Sequence, residues 1–195
     1  DPLWSRGLGD VYKRQTLEIE IRSATQTDAV RMIHDGSAHV ALMFERPGID
    51  EREAFAEAGS QLLTAVAAPG YPFSSEGKRL DAGQMADTRQ IVVASDDPKA
   101  SEPQIVLSHR VWLTDSYMAT LDLVQAGMGW AYLPHPLVQP MIDSGVLAAV
   151  KFDNMASQIR LWVDVIWYKS RPLGLGARRY LQLLREQVEA GPARS

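Results

Sequence analysis

The chain has 195 residues and a mass of 21.6 kDa, a length that fits one compact domain or two small lobes. Its net charge of −4 argues against a nucleic-acid-binding surface, because surfaces that neutralise phosphates are usually basic. The absence of cysteine excludes disulfides, thiolate metal sites and thiol nucleophiles. No apolar run approaches the roughly 20 residues that span a bilayer, and the N-terminus lacks the apolar core of a secretory signal.

The first fifteen residues differ in character from the rest of the chain. Residues 1–15 (DPLWSRGLGDVYKRQ) combine proline, glycines and mixed charge without a helical or strand period. They resemble translated adapter sequence, and the alternative is a native loop. We therefore treat them as a non-native leader and leave them out of the fold prediction.

Strand and helix patterns alternate along the first half of the remaining chain. Residues 16–22 (TLEIEIR) alternate apolar and charged side chains, which predicts a half-covered strand. Thr25 and Asp28 fit a capping box at the start of a helix that ends at Gly36. The next predicted elements are a strand covered on both faces at 40–44, a solvated charged loop at 51–53 and a strand at 62–68.

The same alternation continues to the C-terminus. It predicts an α/β fold with mostly parallel sheets, in which four tryptophans fall in strands and pack in the core. The predicted strands are 90–94, 110–114, 130–133, 147–150 and 161–168, and the predicted helices are 81–85, 117–125, 136–143 and 175–189.

Catalytic and cofactor signatures are nearly absent. Residues 127–129 (GMG) follow a helix and precede a strand, the reverse of the order that a dinucleotide phosphate site needs. We therefore expect Gly127 to end the helix with a positive φ. His34, Asp35 and His39 lack a third ligand of defined geometry, so no metal site is predicted. No G-x-S-x-G, H-E-x-x-H or P-loop motif occurs.

Polar residues follow one predicted strand and precede a predicted helix. In open α/β sheets, ligands bind beyond the carboxyl ends of the strands, where loops lead into helix N-termini. Thr114, Asp115 and Ser116 occupy such a position ahead of Tyr117. Their hydroxyls and the free amides of the helix suit a carboxylate or similar anion. The alternative is that Asp115 or Ser116 only caps the helix.

Several stretches of the chain resemble the LysR-type transcriptional regulators. The stretch at 121–134 (LDLVQAGMGWAYLP) is similar to that family's V-x-A-G-x-G-x-x-x-L-P segment. His39 stands where the family usually has aspartate, and Tyr71 where it has histidine. The resemblance covers about residues 16–188, and its other stretches are 35–42 (DGSAHVAL), 62–72, 144–147 (SGVL) and 173–179.

This resemblance implies an effector-binding domain with the two-lobed α/β fold of type 2 periplasmic binding proteins. Lobe I would comprise residues 16–69 and 161–189, and lobe II would comprise residues 70–160. The crossovers near 66–69 and 157–161 would form the hinge. The family's winged helix-turn-helix, and the first strand and helix of lobe I, would precede residue 16, which would leave lobe I incomplete.

The resemblance also implies a ligand sensor and not an enzyme. The intact protein would be a cytoplasmic homo-oligomer without membrane contact, and it would bind DNA only through its N-terminal domain. No cofactor or metal is expected. The partner would be a small-molecule effector, with an anion as the candidate, and the expected contact residues are Phe44, Thr114, Asp115, Ser116, Tyr117 and Pro134.

Two other classes of protein remain open. A solute-binding protein of a transport system shares the implied fold, and a secretory signal upstream would favour it. An enzyme on this fold would use Asp115, Ser116 and His135 as polar groups, although the sequence names no nucleophile–base pair.

Overall fold

The computed structural model describes residues 18–46, 48–72, 79–94, 105–153 and 155–190. The predicted leader lies outside these residues. The helices are α1 (Gln26–Asp35), α2 (Ala82–Ala86), α3 (Tyr117–Gln125), α4 (His135–Asp143) and α5 (Leu175–Ala190). The strands are β1 (Ala41–Phe44), β2 (Glu53–Ala67), β3 (Arg89–Val93), β4 (Arg110–Thr114), β5 (Trp130–Pro134), β6 (Ala148–Ala149) and β7 (Gln158–Tyr168).

Two long antiparallel strands, β2 and β7, form the backbone of the molecule. The strand order is β1-β7-β2-β5-β3-β4, and β6 also pairs with β2. Strand β1 pairs with the C-terminal part of β7, whereas β5 pairs with the C-terminal part of β2. Lobe I is therefore built on one end of the β2–β7 ladder, with α1, β1 and α5. Lobe II is built on the other end, with α2 to α4 and β3 to β6.

The sheet is mixed, so the prediction of mostly parallel sheets is wrong. Strand β3 pairs in parallel with β4 and β5, as the strand–helix alternation predicts. The β1–β7, β2–β7 and β2–β5 pairs are antiparallel. The reason is that β2 and β7 run through both lobes in opposite directions, and their pairing partners are distant in sequence.

Helix α1 covers one face of lobe I. Ile33 is fully buried against Met43 of β1 and Ile166 of β7. The Thr25 hydroxyl accepts a hydrogen bond from the Asp28 amide at 3.2 Å, which satisfies one of the free amides in the first turn. Gly36 ends α1 with a φ of 85°, so both predicted helix limits are confirmed.

Lobe II has the larger core, with one apolar cluster on each face of its sheet. Trp130 is fully buried and makes edge-on contacts with Tyr132 and Phe152, each with ring centroids 5.7 Å apart. Trp112 and Trp162 are partly exposed, so the predicted core role holds for Trp130 and not for them. The two clusters comprise Leu63, Ala65, Ala67, Leu80, Met85, Trp130, Tyr132, Val150 and Phe152 on one face, and Val66, Ile91, Leu121, Val124, Ala131, Leu133, Val138 and Leu147 on the other.

Three predictions about lobe I elements are wrong. Residues 18–22 form no strand, and Ile21 is 91% exposed, because no described strand lies beside them to pair with. Residues 40–44 are not covered on both faces, since β1 is an edge strand and Leu42 is 49% exposed. The charged stretch at 51–53 is not a solvated loop throughout, because Glu53 is the first residue of β2 and is 1% exposed.

Candidate functional site

The carboxyl ends of β3, β4 and β5 meet at one edge of lobe II, because parallel strands end at the same edge. Strand β4 leads through Asp115 and Ser116 into α3, and β5 leads directly into α4. We call this edge the lobe II rim, defined by residues 114–117 and 134–135. It places the starts of two helices at one edge of the sheet, with β3 between the strands that lead into them.

Hydroxyl groups organise the start of α3. The Ser116 hydroxyl accepts a hydrogen bond from the Met118 amide at 3.2 Å, so its role as the helix cap is confirmed. The Thr114 and Thr120 hydroxyls are 2.6 Å apart, and the Thr120 hydroxyl also lies 3.0 Å from the Ser116 carbonyl oxygen. Asp115 is exposed. The hydroxyls are thus held by local hydrogen bonds, and their contact with a ligand stays a prediction.

The start of α4 is held differently. Pro134 occupies the capping position and supplies no side-chain hydrogen bond. His135, the first residue of α4, has its Nδ1 atom 2.9 Å from the Thr64 hydroxyl oxygen on β2. The Gln158 side chain on β7 donates to that same oxygen at 3.3 Å. Because Thr64 is 4% exposed, this buried hydroxyl links β2, β7 and α4.

The predicted contact residues do not all lie at the rim. Thr114, Asp115, Ser116 and Tyr117 follow β4, and Pro134 ends β5 two strands away. Phe44 ends β1 opposite Val163, and four strands separate β1 from β4 in the sheet order. Thr64 and Gln158 are not predicted from the sequence, since no local pattern indicates that two polar residues 94 positions apart will meet.

A charged cluster lies in lobe I, away from the rim. The structure joins His34 not to Asp35 and His39 but to Asp50 and Glu53, whose ligand-type atoms all lie within 4.8 Å of one another. The His34 Nε2 and Glu53 Oε1 atoms are 2.7 Å apart. The imidazole also packs edge-on against the Tyr168 ring, with centroids 5.7 Å apart.

Two arginines neutralise the carboxylates of this cluster. The Arg46 guanidinium binds the second oxygen of Glu53. Arg52 donates to both carboxylate oxygens of Asp50, at 2.9 and 2.7 Å, and holds the pKa of Asp50 well below its usual range. A divalent cation would add charge to groups that are already balanced. The arrangement therefore favours an ion-pair network over a metal site.

The profile of the LysR substrate binding domain family matches residues 13–189. The chain belongs to this family. The match includes residues 13–15 of the predicted leader. The HTH-type transcriptional regulator AceR of Acinetobacter baumannii is 34% identical over 173 residues, which cover 88% of this chain and 57% of that regulator. The chain thus spans little more than half the length of this curated relative.

Solved LysR-type structures share the fold. The regulatory domain of MetR from N. meningitidis superposes with a TM-score of 0.66 at 18% identity, covering 95% of this chain and 87% of that one. The CcmR regulatory domain from Synechocystis PCC6803 gives a TM-score of 0.70 at 15% identity, covering 97% and 92%. The predicted family and its two-lobed, periplasmic-binding-protein-like fold are confirmed. The solute-binding alternative is not supported, because the relatives are transcriptional regulators.

Among the described helices, none is both long enough and apolar enough to cross a lipid bilayer.

Proposed function

We propose that this LysR substrate-binding domain senses a small-molecule effector at the lobe II rim, on the side that faces lobe I. The observation that carries the proposal is that two helices, α3 and α4, start at the same edge of the sheet, at the carboxyl ends of the two strands that flank β3. Thr114, Ser116 and His135 add polar side chains to that rim. An effector there would change the conformation only by binding one state more tightly than another.

The hydrogen-bonding groups of the rim favour an anionic effector. The first-turn amides of two helices are oriented donors, and the helix dipoles add to their attraction for negative charge. Pro134 offers no side-chain acceptor to occupy the amides of α4. The carboxylate of Asp115 is the one negative charge among the rim residues, and it is exposed. Pro136 has no N–H group, so the first-turn amide donors of α4 are those of His135 and Leu137.

The junction between the lobes is the hinge in this proposal. Residues 60–62 of β2 and 160–162 of β7 pair with each other, whereas β1 pairing stops at Val163 and β5 pairing starts at Leu63. Leu63 and Ala65 already belong to a lobe II cluster. We therefore place the boundary at this junction, somewhat nearer the N-terminus of β2 than residues 66–69.

The intact protein is proposed to be a cytoplasmic, homo-oligomeric transcription regulator without catalytic activity or cofactor. The similarity to AceR supports this proposal, as does the fold shared with LysG from Corynebacterium glutamicum, which is described with bound effector Arg. DNA binding would belong to an N-terminal helix-turn-helix domain. The present chain, with its net charge of −4, is not expected to bind promoter DNA specifically.

A ligand screen followed by titration tests the rim. Thermal shift of the purified chain against small carboxylates, amides and amines selects a ligand, and calorimetry then compares variants. Ser116→Trp fills the rim and should weaken binding at least about tenfold, whereas Asp122→Trp, on the exposed side of the same helix, should not. Circular dichroism checks that both variants fold. Undiminished affinity in folded Ser116→Trp would remove the rim as the binding site.

A further inference from the structure

One buried hydroxyl group connects the rim to both long strands. Thr64 lies on β2, accepts a hydrogen bond from Gln158 on β7 and contacts His135 at the start of α4. Its hydrogen bonds link the rim to the β2–β7 ladder two residues beyond the junction at 60–62. The protons of this three-residue relay determine what His135 can offer to a ligand.

The relay has a defined direction. The Gln158 side-chain nitrogen is a donor, so the Thr64 oxygen accepts the hydrogen bond between them. The single hydroxyl proton of Thr64 is then available for its other partner, the Nδ1 atom of His135. A ring nitrogen that accepts a hydrogen bond carries no proton, and in neutral imidazole the other nitrogen must carry it. With this direction of the hydrogen bonds, His135 holds its proton on Nε2.

Burial of Thr64 keeps this pattern in place. At 4% exposure, its hydroxyl has little access to water, and a buried hydroxyl proton left without an acceptor is costly. The reverse direction, with Nδ1 donating to Thr64, would leave the buried Thr64 proton without an acceptor, because the described residues place only the Gln158 amide nitrogen, a donor, beside it.

We infer that His135 is a specificity-determining residue, held by Thr64 and Gln158 as a fixed Nε2–H donor that selects effectors with an acceptor oxygen over amines. The inference rests on the proposed function, since it adds a chemical preference to the same rim. No described residue makes a hydrogen bond to the Nε2 atom of half-buried His135. An ammonium group placed there would meet a donor, which works against amine ligands.

Nitrogen-15 NMR of the histidine ring tests the relay without a ligand. In spectra recorded at about pH 8.5, His135 should show a protonated Nε2 and an unprotonated Nδ1. His135→Gln assigns the signals. Gln158→Glu replaces the donor with an acceptor at an exposed position, so the relay should reverse and the proton should move to Nδ1.

Two threonine variants provide a matched comparison. Thr64→Val removes the relay and should leave a mixture of the two tautomers. Thr120→Val removes another buried hydroxyl, one that contacts Thr114 and not His135, and should leave the tautomer unchanged. A protonated Nδ1 in the unaltered chain would overturn the inference, as would a tautomer that ignores both Thr64→Val and Gln158→Glu.

Three-carbon probes test the acceptor preference. Propionate and propionamide should shift the His135 Nε2–H signal at concentrations where propylamine does not, and Gln158→Glu should reduce this difference. Propylamine shifting that signal as strongly as propionate would contradict the preference while leaving the rim as a binding site. Failure of all three probes to perturb residues 114–117 and 134–135 would count against both the proposed function and the preference that rests on it.

Discussion

Gly127 illustrates how a single residue can be predicted from its neighbours in sequence. The chain leaves α3 and enters β5 within a few residues, and Gly127 has the positive φ, 72°, that such a stop requires. Nothing lies within 4 Å of the position that a Cβ atom would take. The constraint is therefore one of backbone conformation and not of packing space.

Gly127→Val should lower the free energy of unfolding by about 1–3 kcal/mol, because a β-branched residue is strained at positive φ. Urea unfolding measures the loss. Gly174→Val is the control, since Gly174 also has open space around it but lacks a positive φ. Equal losses in the two variants would show that the backbone angle of Gly127 is not the cause.

The environment of Asp164, in contrast to that of Gly127, is determined by residues far away in the sequence. It lies on β7 opposite Glu57 of β2, where burial and the carboxylates of Glu45 and Glu57 raise its pKa, although Arg46 opposes them. A carboxyl whose pKa is raised by folding binds its proton more tightly in the folded state than in the unfolded chain. Its contribution to stability is therefore lost as pH rises through that pKa.

Asp164→Asn should stabilise the chain at pH 7, and the gain should shrink as the pH is lowered towards about 4, near the ordinary aspartate pKa of about 3.9. Asp50→Asn should do the reverse, because Arg52 lowers the pKa of Asp50 and its stabilising effect is present at pH 7. Urea unfolding at several pH values checks both signs. A loss of stability in Asp164→Asn at pH 7 would contradict the assigned repulsion.

Among the secondary-structure elements, helices that have a cap and a glycine stop are predicted well, whereas the length and burial of the strands are not. The bounds of α3, Tyr117–Gln125, are those expected from the sequence, because the cap, the apolar face and the glycine stop all lie within the helix and its ends. Strand β2 starts nine residues before the predicted strand at 62–68. Its first residue, Glu53, is buried in contact with His34 of α1, and the Arg46 guanidinium neutralises its charge.

Glu53→Gln should destabilise the chain by about 3–5 kcal/mol, because it removes the negative charge that pairs with the largely buried Arg46 guanidinium. Glu51→Gln, two residues away and exposed, should change stability by no more than about 0.5 kcal/mol. Urea unfolding compares the two variants. Similar small effects in both would mean that the Glu53 network does not hold α1 to β2.

Across the whole molecule, apolar burial is distributed unevenly between the lobes. Lobe II buries two clusters around Trp130 and Leu133. Lobe I has one small cluster around Ile33, and its outer strand β1 has an unpaired edge among the described strands. Three apolar side chains of lobe I are exposed to solvent, those of Ile19, Ile21 and Leu42. Lobe I should therefore open more easily than lobe II, and the β1 edge offers a place for association.

Hydrogen exchange should show weaker amide protection in 40–44 than in 130–133, because opening of lobe I exposes less apolar surface. Light scattering at increasing protein concentration should show self-association, and Leu42→Lys should reduce it by placing a charge at the β1 edge. Leu113→Lys, on the edge strand of lobe II, is the matched control. Equally strong protection of both segments in a monomer would contradict the predicted difference between the lobes.

The sequence by itself determined what depends on nearby residues: the helix ends at Gly36 and Gly127, the short strands of lobe II and the motif at 121–134 that carries the family resemblance. Only the tertiary structure decided the mixed sheet, the burial of Glu53 and the placement of Phe44 away from the rim. It also decided the contact of Thr64 with His135, 71 residues along the chain, and with Gln158, 94 residues along. The physical reason is that caps and turns are satisfied within a few residues, whereas strand partners and buried polar groups are satisfied by residues that only folding brings together.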